Sequence, residues 1–307
     1  MKEIIYCENS KRERIDIYLR KCLGFSREKI KEFLNSETIA VNGKKVGPAY
    51  LLHNKDRIEI KKLLVSQLEN GIEPQKGYLE ILHEDEHVIV INKPSGIITH
   101  PTAGISRGTL LNYVFFHTRL AGGSYPRTGV VHRLDRETSG VIIFSKTEIS
   151  YESLIQQFKN RQIGKEYLAL VKGFFSPGSR NIEFTVFPDK KERTTMEVHY
   201  LRGKKTVTRI DAVEYLGSHD ITLVKAKPVT GRTHQIRLAL ASVGYPIIGD
   251  KKYGVSSSLI NRVALHSYRI SFRHPCGGDS VLFTAPLPED LSAIIKPELL
   301  AQLDKTA

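Results

Sequence analysis

The segment Val131-His132-Arg133-Leu134-Asp135-Arg136-Glu137-Thr138-Ser139-Gly140 is dense in groups that can do chemistry. It sets a carboxylate between two arginines, in a turn that runs into the apolar stretch Val141-Ile142-Ile143-Phe144. Nearby positive charge favours the ionised carboxylate, and an ionised carboxylate on a rigidly held loop can act as a nucleophile. The same spacing suits a structural salt bridge where a strand begins, and the residues alone leave both readings open. Generic phosphate-loop, dinucleotide-turn and zinc-helix patterns do not occur in the sequence. The histidines and cysteines lack paired ligand spacing. His274-Pro275-Cys276 comes nearest and has no partner pair, so no metal is expected.

Such a loop needs a scaffold to hold it. Short β-prone runs occur at 88–91, 141–144, 167–171 and 221–226, with strand-like segments at 182–187 and 207–215. Helical spacing appears over 150–158, where Leu154, Ile155 and Phe158 share a face, and over 233–243. The second helix is followed by Gly244 and Pro246, a stop signal. Strands are seldom separated by helices, which disfavours a strictly alternating parallel sheet. The expected fold class is α+β, with a mixed or antiparallel sheet flanked by helices over residues 80–290.

Residues 1–66 read as a separate small helix-helix-strand domain. Ile15, Leu19 and Cys22 predict a helix over 12–23, and Ser26 can cap a second helix that buries Ile30, Phe33 and Leu34. Asn42-Gly43 predicts a hairpin turn between strands at 39–41 and 44–46, and Arg57-Ile58-Glu59-Ile60 alternates as a half-buried strand does. Residues 67–79, with Asn70-Gly71, Pro74 and Gly77, read as a linker, and 291–307 as a C-terminal tail.

The small domain resembles the alpha-L RNA-binding motif named after ribosomal protein S-four, on Arg14-Ile15-Asp16, Leu19, Ser26-Arg27, Val41-Asn42-Gly43 and Asp56-Arg57-Ile58. That likeness implies phosphate-gripping roles for Arg27, Lys29, Lys31 and Lys44. The larger part resembles the RluA/RluD-type pseudouridine synthases through blocks in matching order. They are Asn92-Lys93-Pro94-Ser95-Gly96 with His100-Pro101, then the segment 132–140, then Lys165-Glu166-Tyr167. Gly231-Arg232-Thr233-His234-Gln235-Ile236-Arg237 and Gly249-Asp250-Lys251-Lys252-Tyr253-Gly254 complete them. Ala239, Tyr245 and Cys276 depart from the commonest pattern, none at an implied catalytic position.

The likeness implies an isomerisation of uridine that breaks the bond from C1′ to N1, turns the base and rejoins it through C5. It makes Asp135 the essential carboxylate, Arg237 its charge partner, and Tyr167 the ring and hydroxyl facing uracil. Arg133 is the implied base-flipping residue. His132, Arg232, Thr233 and His234 are further substrate-side candidates, although His132 suits a turn-shaping role better than proton handling. No cofactor is expected, because the reaction is redox-neutral and adds no atom.

Composition agrees with an RNA partner. Of 307 residues, 46 are Lys or Arg and 33 Asp or Glu, a net charge of +13 that favours a polyanion. Residues 1–76 contribute a net +5 and the rest +8, so the excess is not confined to one region. Hydrophobic residues at 40% exclude a disordered chain, and no apolar run reaches the ~20 residues that cross a bilayer. No membrane partner is expected. Met1 to Ser10 shows no signal-peptide core, and three scattered cysteines suit a reducing compartment such as the cytoplasm. The expected substrate is large-subunit ribosomal RNA, with transfer RNA the alternative, and a monomer is the default. A non-catalytic ribosome-assembly factor is a competing reading, but a phosphate binder gains nothing from Asp135 in its groove. A hydrolytic N-glycosidase would need a second carboxylate to activate water, which the blocks do not supply.

Overall fold

The computed structural model describes residues 2–6, 13–23, 27–36, 38–61, 72–102, 104–121, 127–188, 196–199 and 203–305. Contacts divide the chain into two compact units. One comprises Met1–Lys76, His100–Arg119 and Gly123–Thr128, the other Gly77–Thr99, Leu120–Gly122 and Gly129–Ala307.

In the first unit, strand β1 (Lys2–Tyr6) precedes helices α1 (Ile15–Leu23) and α2 (Arg27–Asn35), and strands β2 (Ile39–Val41) and β3 (Arg57–Lys61) follow. The sheet order is β1-β3-β2, antiparallel throughout. Ile15 and Leu19 of α1, Ile30, Phe33 and Leu34 of α2, and Ile58 and Ile60 of β3 meet in one buried cluster. The period of four on the helices and of two on the strand is what brings them together. The predicted cap Ser26 and the turn Asn70-Gly71 lie outside the described residues.

The Asn42-Gly43 turn forms, with φ of 53° and 74°, but the strand predicted at 44–46 does not. Only Lys44 pairs back, to Val41, and the strand partner of β2 is β3. Two local demands explain this. The Asn42 side chain is committed to β3, donating to Asp56 at 2.8 Å and accepting from the Arg57 N–H at 2.9 Å. The chain beyond Val46 instead caps α1, the Pro48 and Tyr50 carbonyls accepting from Asp16 and Ile15 N–H groups. A further helix of this unit, α3 (Leu110–His117), is opened by a reciprocal Thr109–Asn112 capping box.

The second unit is built on a mixed ten-stranded sheet. Its strands are β4 (Glu80–Glu84), β5 (Val88–Lys93), β6 (Ser139–Ser145), β7 (Gly164–Lys172), β8 (Ser179–Pro188), β9 (Met196–His199), β10 (Lys204–Leu216), β11 (Ile221–Pro228), β12 (Leu265–Arg273) and β13 (Ser280–Thr284). The order is β4-β5-β6-β12-β7-β11-β10-β8-β9, with β13 on β12. Every named pairing is antiparallel except β6 with β12. The α+β expectation holds. Strand β6 is buried along its whole length, so it reads as a continuous apolar run rather than an alternating one.

Helix α4 (Glu148–Lys159) packs Leu154 into the core with Val88, Val141 and Ile143. It starts two residues earlier than its spacing suggests, because Thr147 and Ser150 form a capping box. Helix α5 (Gln235–Ser242) is short and buried on most sides, and α6 (Glu289–Ser292) and α7 (Pro297–Lys305) close the chain. Among the described residues no helix is long and apolar enough to cross a membrane.

Candidate active site

The loop between Val131 and Thr138 is held from several sides. Thr99 Oγ1 donates to the Leu134 carbonyl at 2.9 Å and accepts from the Leu134 N–H at 3.2 Å. Ser95 Oγ donates to the Glu137 carbonyl, and the Gly96 N–H donates to the Arg136 carbonyl, both at 2.8 Å. Beneath them lies Lys93, fully buried, whose ammonium donates to the carbonyls of Pro94, Ile97 and Arg136. Burial pushes the Lys93 pKa down to about 7 against the pull of Asp135. The block around Asn92-Lys93-Pro94 therefore serves as the clamp of the loop.

Two histidines anchor the same segment as neutral rings. His132 Nε2 accepts the Ile143 N–H at 3.0 Å, and its ring lies against Phe158. Burial, with Lys165 nearby, depresses its pKa to about 3. His266 joins Ser139 Oγ through Nδ1 and the Ala285 carbonyl through Nε2, and burial lowers it to about 4. Gly140 ends the loop at φ +111°, where a Cβ would collide with the backbone of Ser267 on the parallel strand β12. Only glycine fits that crossing.

Asp135 emerges from this clamp partly exposed, its side chain at 19%. Its ion-pair partners among the described residues are Arg237, with Nη1 to Oδ2 at 3.5 Å, and His234, with Nε2 to Oδ2 at 3.9 Å. The flanking arginines, from which the spacing drew the charge, are not among those ion-pair partners. Arg133 is exposed, and Arg136 Nε donates to the Gly96 carbonyl at 3.0 Å.

Arg237 is gripped from below by Asp250, with Nε to Oδ2 and Nη2 to Oδ1 both at 2.7 Å. Asp250 is 1% exposed and also accepts the N–H groups of Lys252 and Tyr253. Burial opposes its charge, but Arg237 and these two donors hold it below the usual carboxylate range. Burial likewise opposes the Arg237 charge, and Asp250 and Asp135 overcome it. The sequence reading placed Asp250 inside a matching block without giving it a role.

His234 stands at the head of α5 in the left-handed region, at φ +55°. Its Nδ1 lies 2.9 Å from the Tyr253 hydroxyl, which accepts the Met196 N–H at 2.8 Å. Burial lowers the His234 pKa, opposed by Asp135. Gln235 fixes the preceding loop, accepting from Thr230 and from the Arg232 N–H and donating to Val207 and Thr208.

Asp135, His234, Gln235 and Arg237 line a cleft of about 580 Å³, within the ~300–1,000 Å³ usual for small-ligand sites. The structure brings together there Asp135, Tyr167, Arg237, Arg133, His132, Arg232, Thr233 and His234. Among the described residues Asp135 is the only carboxylate of the lining. Tyr167, 8% exposed, has its pKa raised to about 12 by burial, a Ser267 hydrogen bond opposing and Asp135 adding. Its phenol stays protonated at any working pH. Lys165, also in the lining, was not singled out from sequence.

Arg27, Lys29, Lys31 and Lys44 belong to the first unit. Lys31 and Lys44 are exposed; the side chains of Arg27 and Lys29 lie outside the described residues. Among the described residues no three His, Cys, Asp or Glu side chains gather as a metal site. His274 spends Nε2 on Asp85 and Nδ1 on the Cys276 backbone.

The profile of the RNA pseudouridylate synthase family matches residues 87–242. The chain is 36% identical over 298 residues to "Uncharacterized RNA pseudouridine synthase YlyB" of Bacillus subtilis (strain 168), spanning 96% of this chain and 97% of that one. It is also 36% identical to "Ribosomal large subunit pseudouridine synthase D" of Xylella fastidiosa (strain Temecula1), over 88% of this chain and 84% of the relative. Among solved structures, "Human RNA Pseudouridylate Synthase Domain Containing 1" superposes with a TM-score of 0.58 at 26% identity. That match covers 76% of this chain and 98% of the human one.

Proposed function

The chain belongs to the RNA pseudouridylate synthase family, and on that premise we propose that it isomerises uridines of large-subunit ribosomal RNA with Asp135 as the reacting carboxylate. The observation that carries the assignment of Asp135 is its position in the cleft. Among the described residues it is the one carboxylate of the lining, it is partly exposed, and its ion-pair partners are Arg237 and His234. A hydrolytic glycosidase needs a second carboxylate to activate water, and the described lining residues offer none.

In the reaction the bond from C1′ to N1 breaks, uracil turns over, and C5 bonds to C1′. C5 loses a proton and N1 regains one, so the composition of the RNA is unchanged. Asp135 meets the positive charge that develops at C1′, either by attacking that carbon or by promoting elimination at the sugar. Arg237 orients the carboxylate and keeps it charged, and is itself held by Asp250. The protonated Tyr167 supplies a ring for uracil and a hydrogen-bond donor rather than a resting base. Arg133, exposed at the cleft, fills the place of a uridine drawn out of its stack. Arg232, Thr233 and His234 border the bound nucleotide, and His132 shapes the loop.

Ribosomal RNA is favoured over transfer RNA by relatives named for the large ribosomal subunit. Residues 1–66, by their likeness to the alpha-L motif, are assigned to RNA binding through Arg27, Lys29, Lys31 and Lys44, with residues 80–290 as the catalytic domain. The test incubates purified protein with unmodified large-subunit RNA and transfer RNA transcripts, then maps pseudouridine by carbodiimide primer extension. New stops in the large-subunit RNA alone are expected. Stops confined to transfer RNA would overturn the substrate, and stops in neither would overturn the activity on both.

A further inference from the structure

A second cavity, of about 530 Å³, adjoins the candidate active cleft, and the two share Arg161, Lys165, Pro228 and Val229. It wraps the first residues of β7, where Gly164 pairs with Ser271 of β12 so closely that a Cβ would strike the serine hydroxyl. Four cationic side chains line it, Arg161, Lys165, Lys227 and Arg269, against the single carboxylate of Glu166. That carboxylate is already engaged, by Lys227 at 2.5 Å and Arg269 at 4.0 Å.

Lys165 and Arg161 differ from the other two. Among the described residues neither has an ion-pair partner, and the Lys165 ammonium has only the Thr230 carbonyl at 3.4 Å and the face of Phe158 at 6.0 Å. Burial pushes it down to about 8. A half-buried ammonium without an anion is costly to keep. Lys165 lies two residues before Tyr167, so both project from one face of β7 toward the cleft. Arg161, directly after α4, sits at φ +58° in the position where glycine is the usual choice. A non-glycine residue there carries backbone strain, which is retained where the side chain has work to do.

We propose that this second cavity is a phosphate subsite, where Lys165 and Arg161 take a phosphodiester flanking the uridine held at Asp135. The inference rests on the reading of the cleft as a uridine site and adds a strand-positioning contact to it. The flanking phosphodiester lies on either the 5′ or the 3′ side, and the same ammonium chemistry serves both.

The test uses full-length protein and an RNA fragment that the wild type modifies, with a single neutral methylphosphonate at the linkage 5′ or 3′ of the target uridine. One of the two replacements is expected to raise KM about tenfold, the equivalent of ~1.4 kcal/mol. Lys165→Gln should raise KM for the unmodified RNA by a similar factor, with a smaller change in kcat, and Lys165→Arg should restore it. In Lys165→Gln the sensitive methylphosphonate should cost nothing further. Arg161→Gln should show the same pattern, more weakly. Full additivity of the methylphosphonate and Lys165→Gln losses, or a wild type indifferent to both linkages, would overturn the subsite. If the wild type converts no RNA, the uridine-site reading fails instead. The same comparison, read as dissociation constants on the large-subunit fragment, then tests the subsite by itself.

Discussion

Two carboxylates meet Arg237, and the fold treats them differently. Asp250 is sealed from solvent, doubly bonded to the guanidinium at 2.7 Å, and satisfied further by two backbone N–H groups. Asp135 is partly exposed on a clamped loop, and its basic neighbours Arg237 and His234 stand at 3.5 and 3.9 Å, beyond ordinary hydrogen-bond length. The first arrangement maximises pairing and fixes a position. The second leaves lone pairs for something that arrives later. A site built on this contrast keeps its supporting ion pair saturated and its proposed reacting group under-satisfied, a recurring division between stability and activity.

The contrast can be broken at the supporting side first. Asp250→Ala strips a buried guanidinium of its main partner, and should lower folding stability by ~3–5 kcal/mol, toward the smaller figure if Asp135 moves in to compensate. Urea unfolding of the variant against the wild type measures this. A loss below ~1 kcal/mol would make Asp250 no different from a surface pair.

A smaller effect separates loop anchoring from chemistry. His132 and His266 are neutral when folded, with pKa values near 3 and 4, but titrate near 6.5 when unfolded. Between these values the unfolded chain binds the extra protons, so stability is present above pH 6.5 and is lost as pH falls toward 4. Each histidine contributes a slope of up to ~1.4 kcal/mol per pH unit. His132→Gln should flatten the measured slope between pH 6.5 and 4.5. An unchanged slope would mean that the ring is already accessible to protons in the folded loop.

Much of the site was legible in the sequence, for identifiable reasons. His132 to Gly140 is contiguous, so its loop and its carboxylate could be read without knowing the fold. Tyr167 and Arg237 were reached through the family likeness, and the structure does place them in the cleft with Asp135. The spacing alone drew the charge on Asp135 from its sequence neighbours, and Arg237 entered only through the family likeness. Successive residues of a turn point in different directions, so Arg133 and Arg136 diverge while Arg237 arrives from another element. Asp250 was passed over because its meaning depends on Arg237, thirteen positions earlier, lying directly above it. Lys165 headed a matching block without a role of its own, and its partial burial depends on the loop after β11 folding over it. In the first unit the Asn-Gly turn was visible but its strand partner was not, since the Asn42 contacts with Asp56 and Arg57 are not local.

The central claim is that Asp135 serves the reaction and not the fold, and Asp135→Asn tests it most directly. Single-turnover conversion of uridine to pseudouridine is measured alongside urea unfolding on the same preparation. The account predicts a rate reduced by at least about 10³, as expected for loss of an essential reacting group, with stability within ~0.5 kcal/mol of the wild type, as for a surface substitution. Conversion within about tenfold of the wild type, or a stability loss as large as that of Asp250→Ala, would contradict it.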